Sequence, residues 1–90
     1  MTSTFAQVRE YLEPLYDLVG NNEFTLKEIE DDLPQITKAV LTNLQNRRVI
    51  LVNRRVRDIK IYEIQEFYRN LLTLVRVREQ RQASKVEVSA

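Results

Sequence analysis

Val49-Ile50-Leu51-Val52-Asn53-Arg54-Arg55-Val56-Arg57-Asp58-Ile59-Lys60-Ile61-Tyr62 is the stretch in which the hydrophobic period of the chain changes. Val49 to Val52 is a β-branched run of strand character, and Ile59 to Tyr62 alternates with a period of two. Between them, Asn53 to Asp58 hold Arg54, Arg55 and Arg57. The pattern predicts a β-hairpin with a basic tip. No Gly is available there, and Asn53 is the residue best suited to a positive-φ turn position.

On either side the period is helical. Phe5, Val8, Leu12, Leu15 and Val19 predict a first helix over about 4–19, with Thr4 as its cap and Pro14 kinking or splitting it. Gly20-Asn21-Asn22 ends it, because both residue types accept the left-handed conformation past a helix terminus. Thr25-Leu26-Lys27-Glu28 reads as a capping box opening a short second helix at about 26–32. A third helix is expected over 35–47, with Pro34 before it and Ile36, Val40 and Leu44 turned inward. Beyond the hairpin, a last helix is expected over 65–82, and 83–90 reads as a flexible tail.

The chain has 90 residues, with 43% apolar and 30% charged side chains, one Gly, and neither Cys nor His. That length supports one domain with a modest core. Lacking Cys and His, it has no thiolate or imidazole zinc site and no His-based acid–base chemistry. Ser3, Ser84 and Ser89 lie at the ends. No phosphate-binding Gly loop is visible, so an enzyme is not expected. Glu28, Glu30, Asp31 and Asp32 lack the spacing of a calcium loop, and no cofactor is expected. No apolar run approaches the ~20 residues of a membrane span, and the expected setting is the cytoplasm, with no small-molecule ligand evident.

Charge is sorted along the chain. Residues 1–34 hold Arg9 and Lys27 against Glu10, Glu13, Asp17, Glu23, Glu28, Glu30, Asp31 and Asp32. Residues 35–60 hold Lys38, Arg47, Arg48, Arg54, Arg55, Arg57 and Lys60 against Asp58. A clustered basic block is the electrostatic footprint of a nucleic-acid face. The alternatives are that the two blocks neutralise each other or that the charges are simply solvated.

Helix, short helix, helix, hairpin, helix is an order that resembles the winged helix-turn-helix. Phe24 to Ile29 looks like that superfamily's second-helix opening, and Thr37 to Ile50 resembles its third helix running into the wing. Ile61 to Arg69 is similar to the segment leaving the wing in PadR- and MarR-type transcriptional regulators. Arg48 stands where the family usually has Gly, Gln65 where Thr usually caps the last helix, and Tyr68 where Gly usually follows. The resemblance implies a mainly α fold with a small β-hairpin (α+β), three helices, a basic wing and a C-terminal dimerisation helix. It implies a sequence-specific regulator of transcription, a repressor, that binds double-stranded DNA as a homodimer.

On that reading the third helix enters the major groove. Gln35, Thr37, Lys38, Thr42 and Gln45 are the base-contact candidates, with Asn46 at the margin. Arg47 and Arg48 contact DNA or stabilise the helix end. Arg54, Arg55 and Arg57 bind phosphates or the minor groove, or protect an edge strand from aggregation. Glu and Asp of the first two helices should lie away from this face. Ile61, Ile64, Tyr68, Leu71 and Val75 follow coiled-coil spacing, and Phe67, Tyr68, Leu71, Leu74 and Val75 are the expected dimer contacts unless one monomer uses the whole stripe. The competing function is a winged-helix protein-interaction module that binds no DNA.

Overall fold

The computed structural model describes residues 4–89. Four helices and one hairpin follow in the order α1 (Thr4–Val19), α2 (Leu26–Ile29), α3 (Lys38–Asn46), β1 (Ile50–Val56), β2 (Ile59–Ile64) and α4 (Glu66–Ser89). The class is mixed α and β, as the periods predict.

Helix α1 runs unbroken through Pro14. The missing Pro14 N–H would have met the carbonyl of Glu10, an exposed residue. Thr4 is the helix's first residue and not its cap. Val8, Leu12, Leu15 and Val19 are buried at the predicted spacing. Gly20 then takes φ +57°, and its N–H bonds the Tyr16 carbonyl at 2.8 Å. The capping box at α2 forms as expected: Glu28 N–H donates to Thr25 Oγ1 at 3.3 Å, and Thr25 N–H donates to Glu28 Oε1 at 3.0 Å. The helix is shorter than expected, ending at Ile29.

Helix α3 starts at Lys38, later than the expected 35, because Thr37 caps it through a hydrogen bond from Val40 N–H. Ile36 is buried, but it lies before the helix, where its N–H bonds the Leu33 carbonyl at 3.0 Å. Leu41 and Leu44 are the buried pair of α3, and Val40 is only half-buried. The inward stripe is therefore rotated from the predicted one.

At the end of α3, Arg48 N–H bonds the Gln45 carbonyl at 3.0 Å and Val49 N–H bonds the Leu44 carbonyl at 2.9 Å. This is the Schellman closure of a helix, which requires a left-handed residue after the cap. Arg48 supplies it at φ +61°, in the place where the resemblance expects Gly. Val49 and Leu44 are both buried there.

The hairpin forms, but its turn is not at Asn53. Pairing continues to Val56↔Ile59, so the loop is Arg57-Asp58, at φ +51° and +69°. A two-residue loop with positive φ at both positions matches the right-handed twist of the strands. Asn53 instead falls where the register shifts between Val52 and Arg54. This bulge changes which β1 side chains share a face. Phe24 pairs with Tyr62 through reciprocal backbone bonds of 2.9 and 2.8 Å, and their rings stack with centroids 5.6 Å apart. The hairpin is thereby attached to the segment between α1 and α2.

Helix α4 continues past its expected end, so the expected tail at 83–90 is helical as far as Ser89. No Gly or Pro interrupts that run. Ala90 lies outside the described residues. Leu72 is buried, and Tyr68 packs against the core. Ile61 and Ile64, expected to extend the helical stripe, are strand residues of β2. No helix among the described residues is long and apolar enough to cross a membrane.

Helix α4 meets α1 through charge as well as apolar packing. Arg9 donates to Glu79 at 2.6 and 2.9 Å and to Glu13. Arg76 donates to Asp17 at 2.9 and 3.1 Å and to Glu13 at 3.1 Å. The Arg9 guanidinium holds the Glu13 and Glu79 carboxyls below the usual carboxylate range; Arg76 adds to this at Glu13, and desolvation opposes it at both.

Two outcomes follow. Replacing Arg48 by Gly relieves the left-handed strain, and stability in urea should rise by up to about 1 kcal/mol. Glu13 and Glu79 titrate lower when folded, so their contribution is complete above the ordinary value of 4.5. It disappears as the pH falls through the lowered folded values. The thermal midpoint should therefore drop on acidification below that value, and less steeply in Arg76→Gln.

Candidate nucleic-acid interface

The hairpin and the start of α3 bring the basic block together only in part. An open groove of about 480 Å³ is lined by Thr25, Leu26, Lys27, Glu30, Lys38, Asp58, Ile59, Lys60 and Tyr62. Lysines from α2, α3 and β2 thus share one concavity with two carboxylates. Glu30 in this lining departs from the expectation that the acids of the first helices lie elsewhere. Glu23, between the first two helices, also comes to the basic side and reaches Arg54 at 3.3 Å. Both partners of that bridge are well exposed, so it contributes little. The remaining acids conform better: Glu13 and Asp17 are held by Arg76 on α4.

Directly opposed strand residues share a face, and successive residues alternate. Ile50↔Ile64 and Val52↔Tyr62 make the core face of the hairpin. Beyond the bulge, the same face carries Arg55↔Lys60. Two cations directly opposite one another destabilise a ladder. Among the described residues Lys38, Arg48, Arg55, Arg57 and Lys60 make no ion pair. The distal hairpin is therefore a cationic arm whose charges repel.

The α3 candidates divide. Lys38 and Thr42 are exposed on the helix. The Thr42 hydroxyl donates to the Lys38 carbonyl at 3.0 Å, leaving its methyl and lone pairs outward. Gln35 is not on α3 but in the turn before it, and Thr37 spends its hydroxyl on the cap. Gln45 is half-buried. At 100° per residue, the Leu41/Leu44 pair directs Ala39, Asn43 and Asn46 outward, and all three are exposed. Asn43 escaped the sequence reading because Val40 was assigned to the inward stripe in place of Leu41. Arg47 donates to Gln7 of α1 and is the C-cap residue. Arg48 is exposed.

On α4, the direction opposite Leu72 is apolar. Phe67 and Leu74 are each 67% exposed, and Val77 is 40% exposed. Leu71 borders them and is half-buried. Of the other expected dimer contacts, Val75 is half-buried on the side turned toward α1, and Tyr68 is spent on the core.

No His/Cys/Asp/Glu group among the described residues could hold a metal. The chain matches no protein-family model, no curated protein sequence and no solved structure.

Removing one of the opposed cations should stabilise the free protein. In Arg55→Thr, a strand-favouring residue faces Lys60, and the urea midpoint should rise by the equivalent of about 0.5 kcal/mol. A fall in stability would mean that Arg55 supports the hairpin.

Proposed function

We propose that the chain is a winged-helix regulator of transcription that binds double-stranded DNA sequence-specifically, as a homodimer. The observation that carries this reading is the arm: Arg55 opposed to Lys60, with Arg57 in a left-handed turn position. Asn or Gly would serve the turn at lower backbone cost, and an uncharged partner would serve Lys60 better. Strain kept at exposed, unpaired cations points to an anion as the missing partner. Arg48, also left-handed and exposed, repeats the pattern at the end of α3.

On this reading α3 lies in the major groove, with Lys38, Thr42, Asn43 and Asn46 toward base edges. Asn pairs with adenine, Lys with guanine, and the Thr methyl with thymine. Lys60, Arg55 and Arg57 hold phosphates or line the minor groove. The second copy covers Phe67, Leu71, Leu74 and Val77. A helix whose residues 77–83 are all exposed gains little from its own domain, and a paired helix would cover its apolar stripe. With about 34 Å between recognition helices, the site would be a near-palindrome. Repression would follow from occupancy. The exposed Glu30-Asp31-Asp32 run favours the second reading, an interaction module with a basic partner.

Selection of bound duplexes from a random pool, followed by titration at several salt concentrations, separates the two. The expected result is a two-fold symmetric consensus and two chains per duplex. Each phosphate contact contributes about 0.9 to the slope of log affinity on log salt. Arg55→Thr with Arg57→Asn should therefore lower the slope by about 1.8 per chain. Absence of duplex binding at low salt would overturn the proposal in favour of the interaction module.

A further inference from the structure

Behind the tip of the arm stands an apolar pair that neither the core nor a phosphate contact uses. Val56 and Ile59 are the last cross-strand partners before the Arg57-Asp58 turn. They are 49% and 55% exposed. Strand alternation sets them on the face of Arg54 and Ile61, and Ile59 also reaches the rim of the groove that Lys60 lines. The end of the arm is thus an apolar ridge on one face, with cations beside it, behind it and at its tip. A strand needs β-branched residues here, but Thr would meet that need without exposing hydrocarbon.

Two half-exposed side chains fall far short of the ~800 Å² per partner of a stable protein interface. A protein covering them would also have to desolvate Arg54, Arg55, Arg57 and Lys60, which is costly without matching anions. Duplex DNA supplies phosphates for the cations and apolar base faces for the ridge. Apolar wedges that enter the minor groove partly unstack a base step and kink the duplex.

We infer that the Val56–Ile59 pair is such a wedge, and that the protein bends the DNA it binds. This rests on the duplex-binding reading above. Insertion is cheapest at a flexible pyrimidine–purine step.

The test uses the full chain and a duplex of about 30 base pairs containing a TA step. One strand carries 2-aminopurine at that step, and the ends carry an energy-transfer pair. The wild-type protein should raise the 2-aminopurine fluorescence and bring the ends together by a bend of roughly 20–90°. Val56→Thr with Ile59→Thr keeps β-branched residues in both strands. It should bind about tenfold more weakly, keep the salt slope, and lose both optical signals. If circular dichroism shows that the double variant has lost its fold, Val56→Thr alone carries the same readouts.

A saturated wild-type complex with a straight, stacked duplex would overturn the wedge and leave duplex binding standing. So would unchanged affinity and signals in the folded variant. Loss of self-association in that variant, with DNA signals unchanged, would make the pair a protein contact and also overturn it. Absence of any duplex binding at low salt would remove this inference together with the reading beneath it.

Discussion

Both backbone polar groups of Val49 are committed, and the rest of the fold is arranged around them. Its N–H closes α3 on the Leu44 carbonyl, and its carbonyl receives the N–H of Gln65, one residue before α4. Its side chain is fully buried. One residue thus ends a helix, starts a hairpin and seats the last helix. The direction in which β1 leaves α3 follows from the left-handed Arg48 just before it. The Phe24–Tyr62 pairing fixes the other side of the hairpin. Between these two anchors the proximal hairpin is part of the core. The distal hairpin, from Arg54 to Lys60, is an arm beyond it.

The chain is nearly neutral in sum, yet its charges are spent unequally. Arg9 and Arg76 take up Glu13, Asp17 and Glu79 along the α1–α4 contact. Bidentate geometry makes these the stronger class of ion pair, although their partial exposure limits what they contribute. Among the described residues, the cations of the arm receive only the exposed Glu23 bridge at Arg54. Acid is consumed where helices must be joined, and base is left unneutralised where the hairpin projects. Net charge would miss this, because an electrostatic field is a matter of placement.

Helix α4 combines both modes. Leu72 and Tyr68 face the core, Arg76 and Glu79 face α1, and Phe67, Leu74 and Val77 face away from both. The helix thus has apolar residues on opposite sides, and only one of those sides is covered by this chain's own core.

Periodicity and residue types at fixed spacing determined the order of elements, the α1 core stripe, the capping box at Thr25 and the existence of a hairpin with cations near its tip. Those features depend on local spacing and local hydrogen bonds, which a linear pattern carries directly. The left-handed demand after α3 was visible as a departure, Arg48 in place of Gly. The tertiary structure decided the rest. Thr37 could be a base contact or a cap by its type, and Val40 or Leu41 could each have been inward. The choice depended on where α3 begins relative to the core. The turn fell at Arg57-Asp58 because pairing persisted past a bulge at Asn53, a register no single strand can reveal. The opposition of Arg55 to Lys60, and with it the outward pair Val56–Ile59, exists only once that register is set, since a one-residue slip exchanges the faces of a strand.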